Sequence, residues 1–286
     1  MKARYANPDA LVSSERLAAR LGGDNLAVLD ATFHLPNVKR DARAEYERGH
    51  IPGAMFFDID AIADPHTTLP HMLPQAEAFA RAIGALGIGN DTEVVIYDTH
   101  GLASAPRAWW MLRVFGHAHV AVLDGGLPKW KREGRAIDDR PVSPSPRVFR
   151  PRFHPELLRG KAQMLTNLVT RAEQVLDTRP AGRFTGIEPE PRAGLRGGHI
   201  PGSRSLPFAT VIDPQTLRVL PQDALGKLFS DAGIDLSRPV VTSCGSGVTA
   251  CVVALGLHLL GAEHVAVYDG SWAEWGLPGD TPVEAG

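Results

Sequence analysis

Ser243-Cys244-Gly245-Ser246-Gly247-Val248-Thr249 is the stretch of this chain best suited to covalent chemistry. It follows a short apolar run, Pro239-Val240-Val241-Thr242, and precedes a longer one from Ala250 to Leu260. That pattern predicts a strand, a tight loop and a buried helix. A cysteine at such a loop meets converging backbone N–H groups and the positive end of the helix dipole, and both favour negative charge on the sulfur, its nucleophilic form. One use of such a loop is phosphate-ester chemistry, which needs an arginine six positions after the cysteine to clamp the phosphate; here that position is Ala250. The other use is sulfur transfer, in which the thiolate takes the outer sulfur of a donor as a persulfide and passes it to an acceptor, with the loop N–H groups stabilising the anion. A buried structural thiol is the bland alternative for Cys244. For Cys251, seven residues after Cys244 and within the apolar run, a small core residue is the preferred reading.

The elements that must position this loop occur twice. Leu26–Asp30 reappears as Gln174–Asp177, and His50-Ile51-Pro52-Gly53 as His199-Ile200-Pro201-Gly202. Val94–Asp98 reappears as Val240–Cys244, and His119–Gly126 as His264–Ser271. Four matches in the same order at nearly constant separation mean an internal duplication. Short apolar strands alternate with helical patterns at 14–21, 75–86, 167–174 and 222–232. The fold class expected is therefore α/β, two tandem domains, each a parallel sheet flanked by helices, with ligands at the carboxyl ends of the strands. A proline-rich segment, 141–160, reads as an extended linker between a first domain, 1–140, and a second, 161–286. At the position of Cys244 the first half has Asp98, so catalysis is assigned to the second domain, and the first shapes and seals the cleft. His50 and His199 recur in both halves and read as structural parts of a turn.

Composition narrows the remaining classes. A formal net charge of −2 argues against nucleic acid or a membrane surface recognised by bulk charge. No apolar run is long enough for a transmembrane helix, and the first residues lack the apolar core of a signal peptide. Two cysteines exclude a disulfide scaffold and suggest a reducing, cytoplasmic setting. His117 and His119 form an H-x-H pair without a nearby third ligand, so no metal site is expected.

The Cys244–Thr249 loop, the paired His-Ile-Pro-Gly segments, Asp41-Ala42-Arg43, Phe56–Asp60, His71-Met72-Leu73-Pro74 and the closing Tyr268–Trp275 together resemble the two-domain rhodanese family over nearly the whole chain. Within it, CGSGVT resembles the loop of the 3-mercaptopyruvate-using branch. The thiosulfate-using branch carries CRKGVT, whose basic pair is replaced here by Gly245 and Ser246. The resemblance implies Cys244 as nucleophile, with Gly245, Gly247, Val248 and Thr249 of its loop as substrate-binding residues. It implies Arg183 and Arg192 as the clamp for the carboxylate and keto oxygen of mercaptopyruvate, although ion pairs with Glu188 and Glu190 are the bland alternative. It also implies Ser246, His71 and Asp60 as a proton relay; packing or capping is the alternative for His71. No metal or organic cofactor is implied. The acceptor is a thiol, cyanide or a dithiol protein of the thioredoxin kind. A thiosulfate:cyanide sulfurtransferase and a non-enzymatic sulfur carrier stay open as alternatives.

Overall fold

Runs of Val, Leu and Ile bounded by turns form strands buried on both faces, as a parallel sheet requires. The computed structural model describes residues 4–35 and 37–286. The first half runs β1 (Leu11–Val12), α1 (Ser14–Ala18), β2 (Leu26–Asp30), α2 (Ala42–Arg48), β3 (Met55–Phe56), α3 (Ala76–Ala85), β4 (Glu93–Tyr97), α4 (Ala105–Val114), β5 (Val120–Leu123) and α5 (Gly126–Arg132). The second runs β6 (Leu158–Arg159), α6 (Lys161–Thr170), β7 (Gln174–Asp177), α7 (Ala181–Phe184), β8 (Arg204–Ser205), α8 (Gln222–Asp231), β9 (Val240–Ser243), α9 (Ala250–Leu259), β10 (Val265–Tyr268) and α10 (Ser271–Trp275). Each half builds a five-stranded sheet, in the orders β1-β5-β4-β2-β3 and β6-β10-β9-β7-β8. Every ladder is parallel. The shared order is the duplication expressed as topology.

Two local readings change. The helical pattern at 167–174 belongs to α6, which starts earlier and stops at Thr170 because Arg171 adopts a left-handed conformation (φ 52°). Asn167 then ties down the following turn, its side chain bonding both N–H and C=O of Glu173, and Gln174 begins β7. The proline-rich segment lacks regular structure up to His154, yet it packs along the first half: Phe149 is buried, and Arg147, Arg152 and His154 donate backbone bonds to Gly84, Phe115 and Val114. Its end, Leu158–Arg159, pairs with β10 as an edge strand of the second sheet. The repeated histidines anchor their turns alike. His50 bonds Tyr46 O and stacks on Tyr46; His199 bonds Phe184 O and stacks on Phe184. Gly53 and Gly202 then take positive φ (76° and 74°), where glycine carries no steric cost.

The halves meet through α4 and α9. Nearly every residue of α9 is buried because it packs on its own sheet and on the other domain, so it reads as apolar all round. Reciprocal polar contacts frame this interface. Asp269, after β10, accepts the backbone N–H of Leu73 at 2.8 Å and Arg107 Nη1 at 2.6 Å, both from the first half. Asp124, after β5, accepts the backbone N–H of Val219 at 2.9 Å and Arg218 Nε at 2.6 Å, both from the second. Leu73 and Val219 are equivalent positions of the repeat. So are His71 and Leu217, which share a left-handed backbone (φ 61° and 60°). Arg107 is fully buried; it also donates to Gly247 O and His71 O and lies over the Trp110 ring.

Removing Arg107 strands Asp269 without its cation. Arg107→Met is expected to lower unfolding stability by about 3–5 kcal/mol, and Arg107→Met/Asp269→Asn by less than the sum of the singles. Denaturant unfolding measures both; a loss below about 1 kcal/mol for Arg107→Met contradicts this role for the pair. A second prediction concerns Asp30, the repeat partner of Asp177. Asp177 is paired with Arg179, whereas Asp30 has Thr32 at that spacing and, among the described residues, no cation and no hydrogen bond to Oδ2. Burial pushes the Asp30 carboxyl up to about 6. The folded chain therefore holds a proton that the unfolded chain has released between about pH 4 and 6, and stability falls as pH rises through that window by roughly 2–3 kcal/mol. Asp30→Asn is expected to stabilise the protein at pH 7.5 and to give progressively less towards pH 4. A gain independent of pH contradicts the assignment.

Candidate active site

Cys244 caps the carboxyl end of β9 and is buried, with 2% of its surface exposed. Ser271 sets the loop: its Oγ accepts the N–H groups of Cys244 and Gly247, each at 3.1 Å, and donates to Tyr268 O. The carbonyls of Cys244 and Gly245 accept from Trp272 and Ala273, the first turn of α10. Gly247 has φ 74°, and a Cβ there would lie 2.7 Å from Asp269 O. Among the described residues, the N–H groups of Gly245, Ser246, Val248 and Thr249 have no protein acceptor. The first half shows where such donors aim. Asp98 Oδ1 accepts from His100 N–H, and Oδ2 from Ala103, Ser104 and Ala105 N–H at 2.8–2.9 Å. There a carboxylate fills the cradle; in the second half the residue at that position of the repeat is Cys244.

Arg179, Arg183 and Arg192 line the cavity together with Cys244. Arg183, on α7, donates to both oxygens of Glu190, and Arg179 behind it bonds Asp177, Glu190 and Gly198 O while lying 4.1 Å over the Trp272 ring. The Asp177–Arg179–Glu190–Arg183 chain fixes Arg183 as a donor array. Arg192 has no carboxylate partner among the described residues; burial pushes its guanidinium down, and Cys244 opposes that shift. Both arginines converge on Gly245: a Cβ at 245 would meet Arg183 Nη2 at 3.0 Å and Arg192 Nη1 at 3.8 Å. A larger residue at 245 would compete for the space these guanidinium groups occupy.

His71 and Asp60 reach this place from the first half. His71 Nδ1 lies 2.8 Å from Asp60 Oδ1 in a close but poorly aligned contact, and Nε2 lies 3.3 Å from Arg192 Nη2. His71 holds the Asp60 carboxyl below its usual range. Ser246 is buried in the cavity wall, but its hydroxyl makes no hydrogen bond to His71 or to any other described residue. The structure thus joins Asp60, His71 and Arg192 directly and leaves Ser246 apart. Val248 and Thr249 line the same cavity of about 520 Å³, whose walls come from both domains and are largely apolar: Phe33, Leu35, Leu102, Phe208 and Ile212 among them. Cys251 lies beneath, fully buried; its thiol donates to Gly247 O, and burial pushes it far above the usual cysteine range.

Arg107, Arg179, Asp269 and Ser271 carry much of this geometry without having been singled out from the sequence. One signal was legible: the repeat aligns Ser271 with Gly126, so the reactive half alone has a hydroxyl there. Among the described residues no three His, Cys, Asp or Glu side chains are arranged to hold a metal, and His117 and His119 meet only edge-on, 6.4 Å between ring centres.

The pattern of the rhodanese-like domain matches residues 13–133 and again 161–277. The chain is 48% identical over 272 residues to 3-mercaptopyruvate sulfurtransferase of Homo sapiens, covering 93% of this chain and 91% of that one. It is 44% identical over 286 residues to thiosulfate sulfurtransferase of Cricetulus griseus, covering 97% and 96%. The crystal structure of the 3-mercaptopyruvate sulfotransferase SseA from Escherichia coli superposes with a TM-score of 0.84 at 38% identity, over 93% of this chain and 99% of that one. Two copies of one domain pattern, two sheets of one strand order and relatives matched over nearly their full length make this chain a member of the rhodanese family.

Proposed function

We propose that the protein is a sulfurtransferase that takes sulfur from 3-mercaptopyruvate onto Cys244, releases pyruvate and passes the sulfur to a thiol or cyanide. The observation that carries this reading is the convergence of Arg183 and Arg192 on Gly245, one residue from the nucleophile. Two guanidinium groups suit a carboxylate and an adjacent keto oxygen, and their place beside the sulfur puts the donor's C–S bond within reach of Cys244. The thiolate of Cys244 attacks the donor sulfur, the C–S bond breaks, and its electron pair becomes the enolate of pyruvate. Cys244 then carries S–SH, with the N–H groups of Gly245, Ser246, Val248 and Thr249 available to any negative charge on it.

The enolate carbon needs a proton. His71, between Asp60 and Arg192, is the group we assign to that transfer; Asp60 orients it. Ser246 is assigned to the persulfide rather than to the relay, because its hydroxyl lies in the cavity wall without a protein partner. For the acceptor, an exposed apolar edge at Leu35 and Val38 beside the cavity supports a dithiol protein of the thioredoxin kind as well as small thiols. A reducing, cytoplasmic setting belongs to the same proposal, since an oxidised Cys244 offers no nucleophile.

Steady-state kinetics with two donors test the reading. Cys244→Ser is expected to abolish pyruvate release. Arg183→Ala and Arg192→Ala are each expected to lower kcat/KM for mercaptopyruvate about 10–100-fold, the worth of one charge-assisted hydrogen bond, and to affect thiosulfate less. A parent enzyme that strongly prefers thiosulfate, or equal losses on both donors, contradicts the carboxylate clamp. Pyruvate release by the Cys244→Ser variant contradicts the nucleophile.

A further inference from the structure

The first-domain wall of the active-site cavity carries two histidines that the donor half-reaction leaves unused. His34 follows β2 and His100 follows β4, so the carboxyl ends of adjacent strands bring them together. His34 Nε2 lies 3.0 Å from Glu45 Oε2, and His34 Nδ1 lies 3.0 Å from His100 Nε2, with the rings edge-on at 5.0 Å. Glu45, on α2, is clamped by Arg40 through both oxygens at 2.7 Å, and that partner holds its carboxyl down to about 2. His34 is buried by these contacts, while His100 opens on the cavity that also holds Cys244.

The hydrogen-bond directions follow from the ends of the chain. An ionised Glu45 only accepts, so neutral His34 carries its proton on Nε2. Its Nδ1 is then an acceptor, and His100 donates from Nε2. This fixes the His100 tautomer and leaves Nδ1 with a lone pair. Desolvation at the cavity wall lowers the His100 imidazole from its usual range, although the residue keeps an exposed surface. The groups facing it are Asp98, whose carboxylate takes the backbone N–H of His100 at 2.9 Å, His34 with Glu45 and Arg40 behind it, and across the cavity Arg183, Arg192 and Cys244.

We infer that His100 is the general base of the acceptor half-reaction, with His34 and Glu45 as its positioning residues. This rests on the persulfide reading above. An acceptor R–SH gives its proton to His100 Nδ1 while its sulfur bonds to the outer sulfur of the Cys244 persulfide. The S–S bond to Cys244 breaks, its electron pair returns to Cys244 as thiolate, and R–S–SH leaves with the transferred sulfur. His100 then returns its proton to solvent. No net oxidation occurs and no further reactant is needed. A cavity of about 520 Å³ has room for this acceptor beyond a three-carbon donor.

The test uses the full chain and separates the half-reactions. Rapid mixing with mercaptopyruvate alone follows the pyruvate burst; the persulfide form is then discharged by 2-mercaptoethanol or by sulfite, whose dianion has no proton to lose. His100→Gln and His34→Gln are expected to retain the burst, to slow discharge by 2-mercaptoethanol about 100-fold at pH 7, and to leave discharge by sulfite at pH 8 unchanged. The defect should close as pH passes the acceptor's own pKa, where the thiol ionises unaided. Equal losses with both acceptors, a defect that persists at high pH, loss of the burst in both variants, or undiminished thiol discharge each overturn the inference. Absence of a burst in the parent protein instead overturns the persulfide reading on which it rests.

Discussion

The buried pair Arg107–Asp269 is the constraint on which the active site depends. Asp269 lies immediately after β10, beside the cysteine loop, yet its ligands come from the other domain. Arg107 spans the gap, holding Asp269 and Gly247 O on one side and the carbonyl of His71 on the other. One guanidinium thus sets the loop that carries Cys244 relative to the histidine assigned to serve it. A charge so deeply placed needs acceptors, and Arg107 meets them at both terminal nitrogens and the Trp110 ring at one face, while its Nε has no partner among the described residues. The same contacts therefore hold the domains together and frame the site.

The duplication explains both the frame and its asymmetry. Reciprocal aspartates, equivalent backbone donors at Leu73 and Val219, and equivalent left-handed residues at His71 and Leu217 give each domain the same means of holding the other. Chemistry enters where the copies differ. Asp98 saturates its own cradle with four N–H groups, whereas Cys244 leaves the matching donors free. Ser271 replaces Gly126 and orders the reactive loop. Arg179 neutralises Asp177, whereas Asp30 stays unpaired and tends towards the neutral acid. His71 stands where the other half has Leu217, on the same left-handed bend, so the group assigned to proton transfer occurs in one copy alone.

Much of this was legible in the sequence because it is local. The strand–loop–helix around Cys244, the repeated strands and the His-Ile-Pro-Gly turns are each specified by neighbouring residues, and the parallel sheets follow from them. The helix pattern at 167–174 was misleading because its end depends on the conformation of a single residue, Arg171, and on a side-chain bond from Asn167, not on periodicity. Arg107 was hidden for a different reason. An arginine in a helix otherwise reads as exposed, and only the three-dimensional meeting of the domains shows that it is fully buried. The same holds for His34 and His100, whose contact joins residues far apart in sequence. Arg183 makes the ion pair its neighbours allowed, with Glu190, and its Nη2 still reaches Gly245.

On the proposed function Cys244 becomes a persulfide beside N–H groups that have no protein acceptor among the described residues. Mass spectrometry of the intact protein, with peptide mapping, tests it most directly. Incubation of the reduced protein with mercaptopyruvate should add the mass of one sulfur atom at Cys244 and none at Cys251, and cyanide should remove it. No added sulfur while pyruvate is still released, or sulfur found on Cys251 instead, would contradict the account.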